Sequence, residues 1–252
     1  LARSGAHRGA SRHAGRLRRR GVPRTATHAE RHGRRRPHAD TDARRLAVLD
    51  RDEHAGRHRL AEGTLKPMPR VIAGSARGIE LRQPRGRGTR PTSGRLREAL
   101  FSMLEAAGAD FAKVLDLYAG TGALGIEALS RGGEHATFVE SDPRAAAVLR
   151  ENLERVGMAE AATAVTATVG RWRPPPGAAY TLVVADPPYD DATAWDAIRE
   201  TIDGSLAPHA IVVVEHSARI EAPERLGDLQ RWRDRRQGDG AVAIYRRAEE
   251  PA

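Results

Sequence analysis

Between residues 114 and 215 the chain repeats one rhythm: a short continuous apolar run, a stretch with apolar residues three and four apart, then another apolar run. The runs predict strands over Val114–Ala119, Ala136–Glu140, Ala164–Thr168, Leu182–Ala185 and Ile211–Glu215, and the spaced stretches predict helices near 122–131, 143–156 and 192–203. Runs such as LVVA and IVVVE lack the polar alternation of a half-exposed strand, so all five strands read as buried in a parallel sheet covered by helices. Two further strands, 229–234 and 241–246, flank the turn-like Gln237–Gly240 and predict a closing hairpin at one sheet edge. Upstream, Arg70–Ala73 and Gly78–Leu81 read as two short strands of a hairpin. Residues 83–91 read as a loop, and Thr92 or Ser93 is placed to cap a helix that carries Leu96, Leu100, Met103 and Leu104 and ends at Gly108. The expected fold is therefore α/β: a mostly parallel seven-stranded sheet, helices on both faces, and an N-terminal β-hairpin extension.

Charge changes the picture at the amino end. The whole chain of 252 residues is +9, but residues 1–67 hold 18 Lys and Arg against seven Asp and Glu, leaving residues 68–252 at −2. That first segment has no Phe, Trp, Tyr or Met and almost no apolar periodicity, so it reads as a disordered basic segment. Because the first methionine is Met68, the leading reading takes residues 1–67 as upstream read-through; the rival is a basic arm that adds phosphate affinity. A second concentration follows. Residues 70–97 carry eight arginines (Arg70, Arg77, Arg82, Arg85, Arg87, Arg90, Arg95 and Arg97) against Glu80, and residues 98–252 then hold −9. The domain reading is accordingly 1–67, an arginine-rich hairpin and loop over 68–91, and an α/β domain over 92–248.

Composition also excludes chemistries. With no cysteine there are no disulfides, thiolate metal sites or cysteine nucleophiles, and an intracellular, cytoplasmic setting is permitted. No run of eighteen apolar residues exists, so no membrane segment is expected.

Two segments carry candidate chemistry. Residues 114–125, VLDLYAGTGALG, run from a strand through a glycine-rich turn into a helix. Gly120 and Gly122 let the backbone turn sharply beside a ligand, and Gly125 lets helix and strand pack closely. Alone, the GxGxxG spacing serves a dinucleotide as well as S-adenosylmethionine. Asp116, a carboxylate beside the turn, suits a cationic amino group better than a pyrophosphate, and Glu140 ends the next strand where it can accept two ribose hydroxyls. The second segment, VVADPPY at 183–189, is a strand that stops at Asp186, Pro187, Pro188 and Tyr189. The prolines impose a rigid, extended exit. The Asp186 carboxylate and the Pro187 carbonyl are two acceptors for the N–H groups of an exocyclic base amine, and Tyr189 offers a flat face for a splayed-out base.

On these residues the chain resembles the class I, Rossmann-like methyltransferases, with VLDLYAGTGALGIEALSRG, FVESD and DPPY as the corresponding motifs. RVIAGSARGIEL followed by RPTSGRLREALFSML narrows the likeness: from Met68 to about Arg247 the chain is similar to RsmD-type 16S ribosomal RNA guanine-N2 methyltransferases. The resemblance implies S-adenosylmethionine as cofactor, held by Asp116, Tyr118, Gly120, Gly122, Glu140, Ser141 and Thr168. It gives the target guanine to Asp186, Pro187, Pro188 and Tyr189, and places Arg90, Pro91 and Thr92 near cofactor and RNA. Thr168 departs from the family, which often has an acidic or amide residue there. The partner implied is 16S ribosomal RNA, free or in an assembling small subunit, with Arg70, Arg77, Arg85, Arg87, Arg90, Thr92 and Arg95 as RNA contacts and a monomeric enzyme. His135, His209 and His216 are isolated, so no metal is expected; Trp172, Trp195 and Trp232 read as packing residues, with Trp195 near enough to the catalytic loop to line an RNA path. Two rivals stay open: an adenine-N6 methyltransferase, since DPPY serves that amine equally well, and a non-catalytic RNA-binding assembly protein.

Overall fold

A computed structural model describes residues 68–84, 94–189 and 191–248, all within the unit Ala61–Ala252. The readings made for residues 1–67 and for Arg85, Arg87, Arg90, Pro91, Thr92 and Ser93 lie outside the described residues.

The predicted rhythm forms one sheet. In chain order the elements are α1 (Gly94–Ala106), β1 (Lys113–Leu117), α2 (Ala123–Ser130), β2 (His135–Glu140), α3 (Pro143–Arg155), β3 (Ala162–Thr166), β4 (Tyr180–Ala185), α4 (Ala194–Ile202), β5 (Leu206–Ser217), β6 (Arg225–Leu226), β7 (Leu229–Gln237) and β8 (Gly240–Arg246). The strand order is β3-β2-β1-β4-β5-β8-β7-β6. Strands β1 to β5 are mutually parallel, and β8, β7 and β6 add antiparallel at one side. Beyond the seven expected strands, two-residue β6 is an eighth.

Apolar residues on the two sheet faces make two cores. One joins Val114, Phe138, Leu182, Val184, Val213 and Ile244 to Leu100, Phe101 and Leu104 of α1, Leu124 and Ile126 of α2 and Leu149 of α3. The other joins Leu115, Leu117, Val183, Val212 and Tyr245 to Ile198 and Ile202 of α4. Helices therefore lie on both faces, three against one, because no helix lies between β3 and β4. One strand differs from expectation: β3 is not buried, since it ends the sheet and shows only partly covered or exposed residues.

Local signals set the helix ends. Asp142 caps α3 by accepting from the Arg144 amide at 2.8 Å, and Pro143 occupies the first turn, where its missing N–H costs nothing. Gly108, at φ 69°, follows α1 as expected of a terminating glycine.

The expected N-terminal hairpin is reduced to a single antiparallel bridge, Arg70 to Glu80. Three backbone bonds, from the amides of Val71, Gly78 and Leu81 to the carbonyls of Ile79, Val71 and Pro69, join its arms, and side chains fasten it to α2. Glu127 of α2 is fully buried and accepts from the amides of Ile72 and Ala73 at 2.8 and 3.0 Å, and Ser130 Oγ accepts from the Ala76 amide at 3.0 Å. Glu127 also accepts from Arg131 Nε at 2.8 Å and lies 3.7 Å from Arg97 Nε.

Candidate active site at the carboxyl edge of the sheet

Chain order reverses between β1 and β4, which are hydrogen-bonded neighbours with Leu117 opposite Ala185. Connections leave that point in opposite directions, so a crevice opens above the carboxyl ends of the two strands. The glycine turn follows β1 and the Asp186-Pro187-Pro188-Tyr189 segment follows β4, bringing both sequence-predicted segments to one place. They touch through the Asp186 amide, 3.4 Å from the Leu117 carbonyl.

The three glycines of the turn do different work. A side chain at Gly122 would collide with Leu149 Cδ1 at 2.3 Å, and one at Gly125 with Phe138 Cε1 at 2.4 Å, so both positions serve packing of α2 against α3 and β2. A side chain at Gly120 would meet only the Tyr118 carbonyl at 3.9 Å, so it would project into the open space above the turn. Gly120 and Gly122 sit at φ 54° and 81°, and Tyr118 at φ 58° is the one non-glycine residue with positive φ among those described. Such a conformation in a tyrosine is strained and is held by its surroundings. Half-buried Tyr118 has its phenol pushed up to about 12, first by desolvation and then by the charge of Asp191, so it stays protonated at neutral pH.

The predicted carboxylates are arranged as supports of the turn. Asp116 is buried, and its Oδ2 accepts from the Gly125 amide at 2.8 Å. Burial drives its carboxyl well above the ordinary range, against the Gly125 hydrogen bond, and the nearby charges of Asp186 and Glu140 push the same way. Glu140 accepts from the Gly120 amide at 2.7 Å through Oε2 and from the Asp142 amide at 2.8 Å through Oε1. It thus ties the turn after β1 to the turn after β2. Each carboxylate oxygen has a second lone pair, so these bonds leave acceptor capacity for hydroxyl groups. Ser141 and Thr168 are exposed, and the Thr168 carbonyl accepts from the amides of Arg171 and Trp172.

These features fit a nucleoside cofactor with a positive charge: an open cradle at Gly120, acceptors at Glu140, and the carboxylates of Glu140 and Asp186 beside the buried Asp116 carboxyl.

In the second segment Pro187 is buried and Pro188 exposed. The Asp191 amide donates to the Pro188 carbonyl at 3.1 Å, closing a turn, whereas no described residue donates to the Pro187 carbonyl. The Tyr189 hydroxyl donates to Glu215 Oε1 at 3.0 Å, so the ring is anchored to β5. Glu215 is buried and was missed by sequence reasoning, because within IVVVE it reads as the polar end of a strand.

The arginines of 70–97 divide. Arg97 is 1% exposed and donates to the Arg70 carbonyl at 2.5 Å, so it is an internal packing residue. Arg70 pairs with Glu80 and Arg82 with Glu151, both on the surface. Arg77 and Arg95 are exposed. Arg77 lies in the turn that packs at Ser130, the end of α2 remote from the glycine turn and about 12 Å along the helix from Gly122. Among the described residues no group of His, Asp and Glu could hold a metal ion, and no helix is long and apolar enough to cross a membrane.

Strand order, switch point and glycine turn together define a class I, Rossmann-like methyltransferase. Comparisons with known proteins agree. Residues 69–246 match the family described as Conserved hypothetical protein 95. YlbH of Bacillus subtilis (strain 168) is 35% identical over 188 residues, 71% of this chain and 98% of that protein. Ribosomal RNA small subunit methyltransferase D of Escherichia coli (strain K12) is 34% identical over 179 residues, 71% of this chain and 89% of that protein. The solved structure of yhhF from Escherichia coli is 32% identical, with a TM-score of 0.63 over 72% of this chain and 98% of that one. The chain belongs to this family, the RsmD-type methyltransferases.

Proposed function

We propose that the protein transfers a methyl group from S-adenosylmethionine to the exocyclic N2 amine of a guanine in 16S ribosomal RNA. The observation that carries this reading is the meeting of Asp186-Pro187-Pro188-Tyr189 with the Gly120 turn across neighbouring strands. Membership of the RsmD-type family supports ribosomal RNA of the small subunit as the substrate.

When bound, the cofactor supplies an electrophilic methyl group from its sulfonium. The chain's part is positioning. Gly120 leaves room above the turn, Glu140 accepts the ribose hydroxyls, and the negative field of Glu140 and Asp186 favours a cation. The Asp186 carboxylate and the Pro187 carbonyl accept the two N–H groups of the target amine, which draws its delocalised lone pair away from the ring and toward the methyl group. Tyr189, anchored by Glu215, stacks on the splayed-out base, an interaction worth about 1–3 kcal/mol. In-line positioning of the reacting atoms then supplies most of the acceleration. In the same reading residues 68–91 and 92–248 act together as the enzyme, with the exposed arginines of the first segment touching RNA.

The test is transfer of labelled methyl onto unmodified small ribosomal subunits, followed by digestion to nucleosides, for the parent and Asp186→Ala. Labelled N2-methylguanosine from the parent alone is expected. Label in adenosine would move the target to the adenine N6 amine, and cofactor binding without label on any nucleic acid would overturn the reading.

A further inference from the structure

β7 reads Leu-Gln-Arg-Trp-Arg-Asp-Arg-Arg-Gln, and every residue from Arg233 to Gln237 is exposed. Its inner side pairs with β8 along its length, but β6 meets its outer side only at Leu229 and Gln230. The Arg231 amide donates to the Glu224 carbonyl at 2.8 Å, so among the described residues the outer edge is open from Trp232 onward. Arg231 is committed elsewhere, donating to the Ala222 carbonyl. Arg233, Arg235 and Arg236 line the open edge, and Arg246 joins them from β8. The Trp232 ring carries two of these cations, with the Arg233 guanidinium 4.4 Å and the Arg246 guanidinium 4.6 Å from its centroid. Stacking on the ring fixes the Arg233 guanidinium by its face, which orients its N–H edge toward acceptors in the plane.

Topology brings this cluster to the active edge. β5 is parallel to β4, β8 runs against β5, and β7 runs against β8, so β7 points toward the same carboxyl edge and ends there. Glu215, which anchors Tyr189, pairs with Val242, and Val242 pairs with Arg235. Arg235 thus lies two strand spacings from Glu215, roughly 10 Å.

The charge is out of keeping with its surroundings. Residues 98–252 carry −9, yet β7 has four arginines against Asp234, which approaches buried His216 at 3.6 Å. Charge on an open edge also discourages pairing with other chains, but that task is met by either sign. Cations of one sign, with fork geometry and aromatic support beside a base-handling tyrosine, match a phosphate backbone.

We propose that Arg233, Arg235 and Arg236, supported by Trp232, form a surface that grips the sugar-phosphate backbone of the RNA strand leading to the target base. This rests on RNA being the substrate, as proposed above.

The experiment measures binding of the full chain to unmodified 16S ribosomal RNA over a salt series, with steady-state methyl transfer alongside. The variant Arg233→Gln/Arg235→Gln/Arg236→Gln should flatten the slope of log affinity against log salt by about 2 to 3 units, one phosphate contact per residue. The loss should fall on KM for RNA, about tenfold, more than on kcat or on cofactor affinity. The corresponding triple Lys variant should restore the slope, and Arg199→Gln on α4 should leave it at the parental value. A parental slope and KM in the Gln variant, with the parent binding RNA, would overturn this surface while leaving the proposed function standing. A combined loss of kcat, cofactor affinity and RNA binding that Lys does not restore would also overturn it, by showing a structural role. A parent with no affinity for ribosomal RNA would overturn both.

Discussion

At the scale of single residues, the glycine turn separates roles that one spacing pattern merges. Gly120→Ala places a methyl group in open space at φ 54°, a conformation that costs about 1 kcal/mol for a residue with a side chain. It should abolish cofactor binding in calorimetric titration while shifting the melting temperature only slightly. Gly125→Ala instead drives a methyl group into Phe138, and should cost about 1–3 kcal/mol of stability in denaturant unfolding. Asp116 offers a test by pH. Its folded-state carboxyl is raised by burial, so the folded protein holds a proton that the unfolded chain has already lost. Stability from this group is therefore greatest below the ordinary carboxylate range and falls as pH rises through the raised value. Asp116→Asn can keep the acceptor for the Gly125 amide and removes the slope. It should melt higher than the parent at pH about 8 and lose that advantage at pH about 4. An advantage equal at both pH values would show that the carboxyl is not held protonated.

Among elements, the decisive contacts are those that fasten the amino-terminal segment to α2. Glu127 holds two backbone amides and faces Arg97 and Arg131 from a fully buried position. Removing one partner of such a cluster leaves uncompensated buried charge, so Glu127→Ala should cost about 3–5 kcal/mol in denaturant unfolding. Hydrogen exchange should report the loss first at the amides of Ile72 and Ala73. The same scale holds the tie between β5 and the segment from Asp186 to Tyr189. Glu215→Gln keeps an acceptor for the Tyr189 hydroxyl, whereas Glu215→Ala frees the ring; methyl transfer should fall about tenfold or more in the second variant and recover in the first, the size expected from losing one charge-assisted hydrogen bond.

For the whole molecule, charge is divided by sign. Residues 98–252 are acidic in balance, while arginines are concentrated in residues 70–97 and in β7. We propose that such a division steers RNA toward these two surfaces and away from the rest. We propose that residues 68–252 suffice for the reaction, as the family match over 69–246 supports. That fragment should methylate at the full chain's rate in saturating RNA. Any contribution of residues 1–67 should appear only as a steeper salt dependence of RNA binding.

Sequence determined the elements, because strand and helix periods and the prolines and glycines between them act through neighbouring residues. The strands ending at Glu140 and Ala185, the turn at Gly120 and the segment from Asp186 to Tyr189 were all legible in that way. What lies across the sheet was not. The single bridge of the amino-terminal segment, the burial of Arg97 and the partial exposure of β3 depend on what packs beside them. Glu215 reached Tyr189, and β7 reached the active edge, only when β8 paired between β5 and β7. A charged residue in sequence carries no mark of whether it faces water or a buried partner; burial and strand pairing alone decide that.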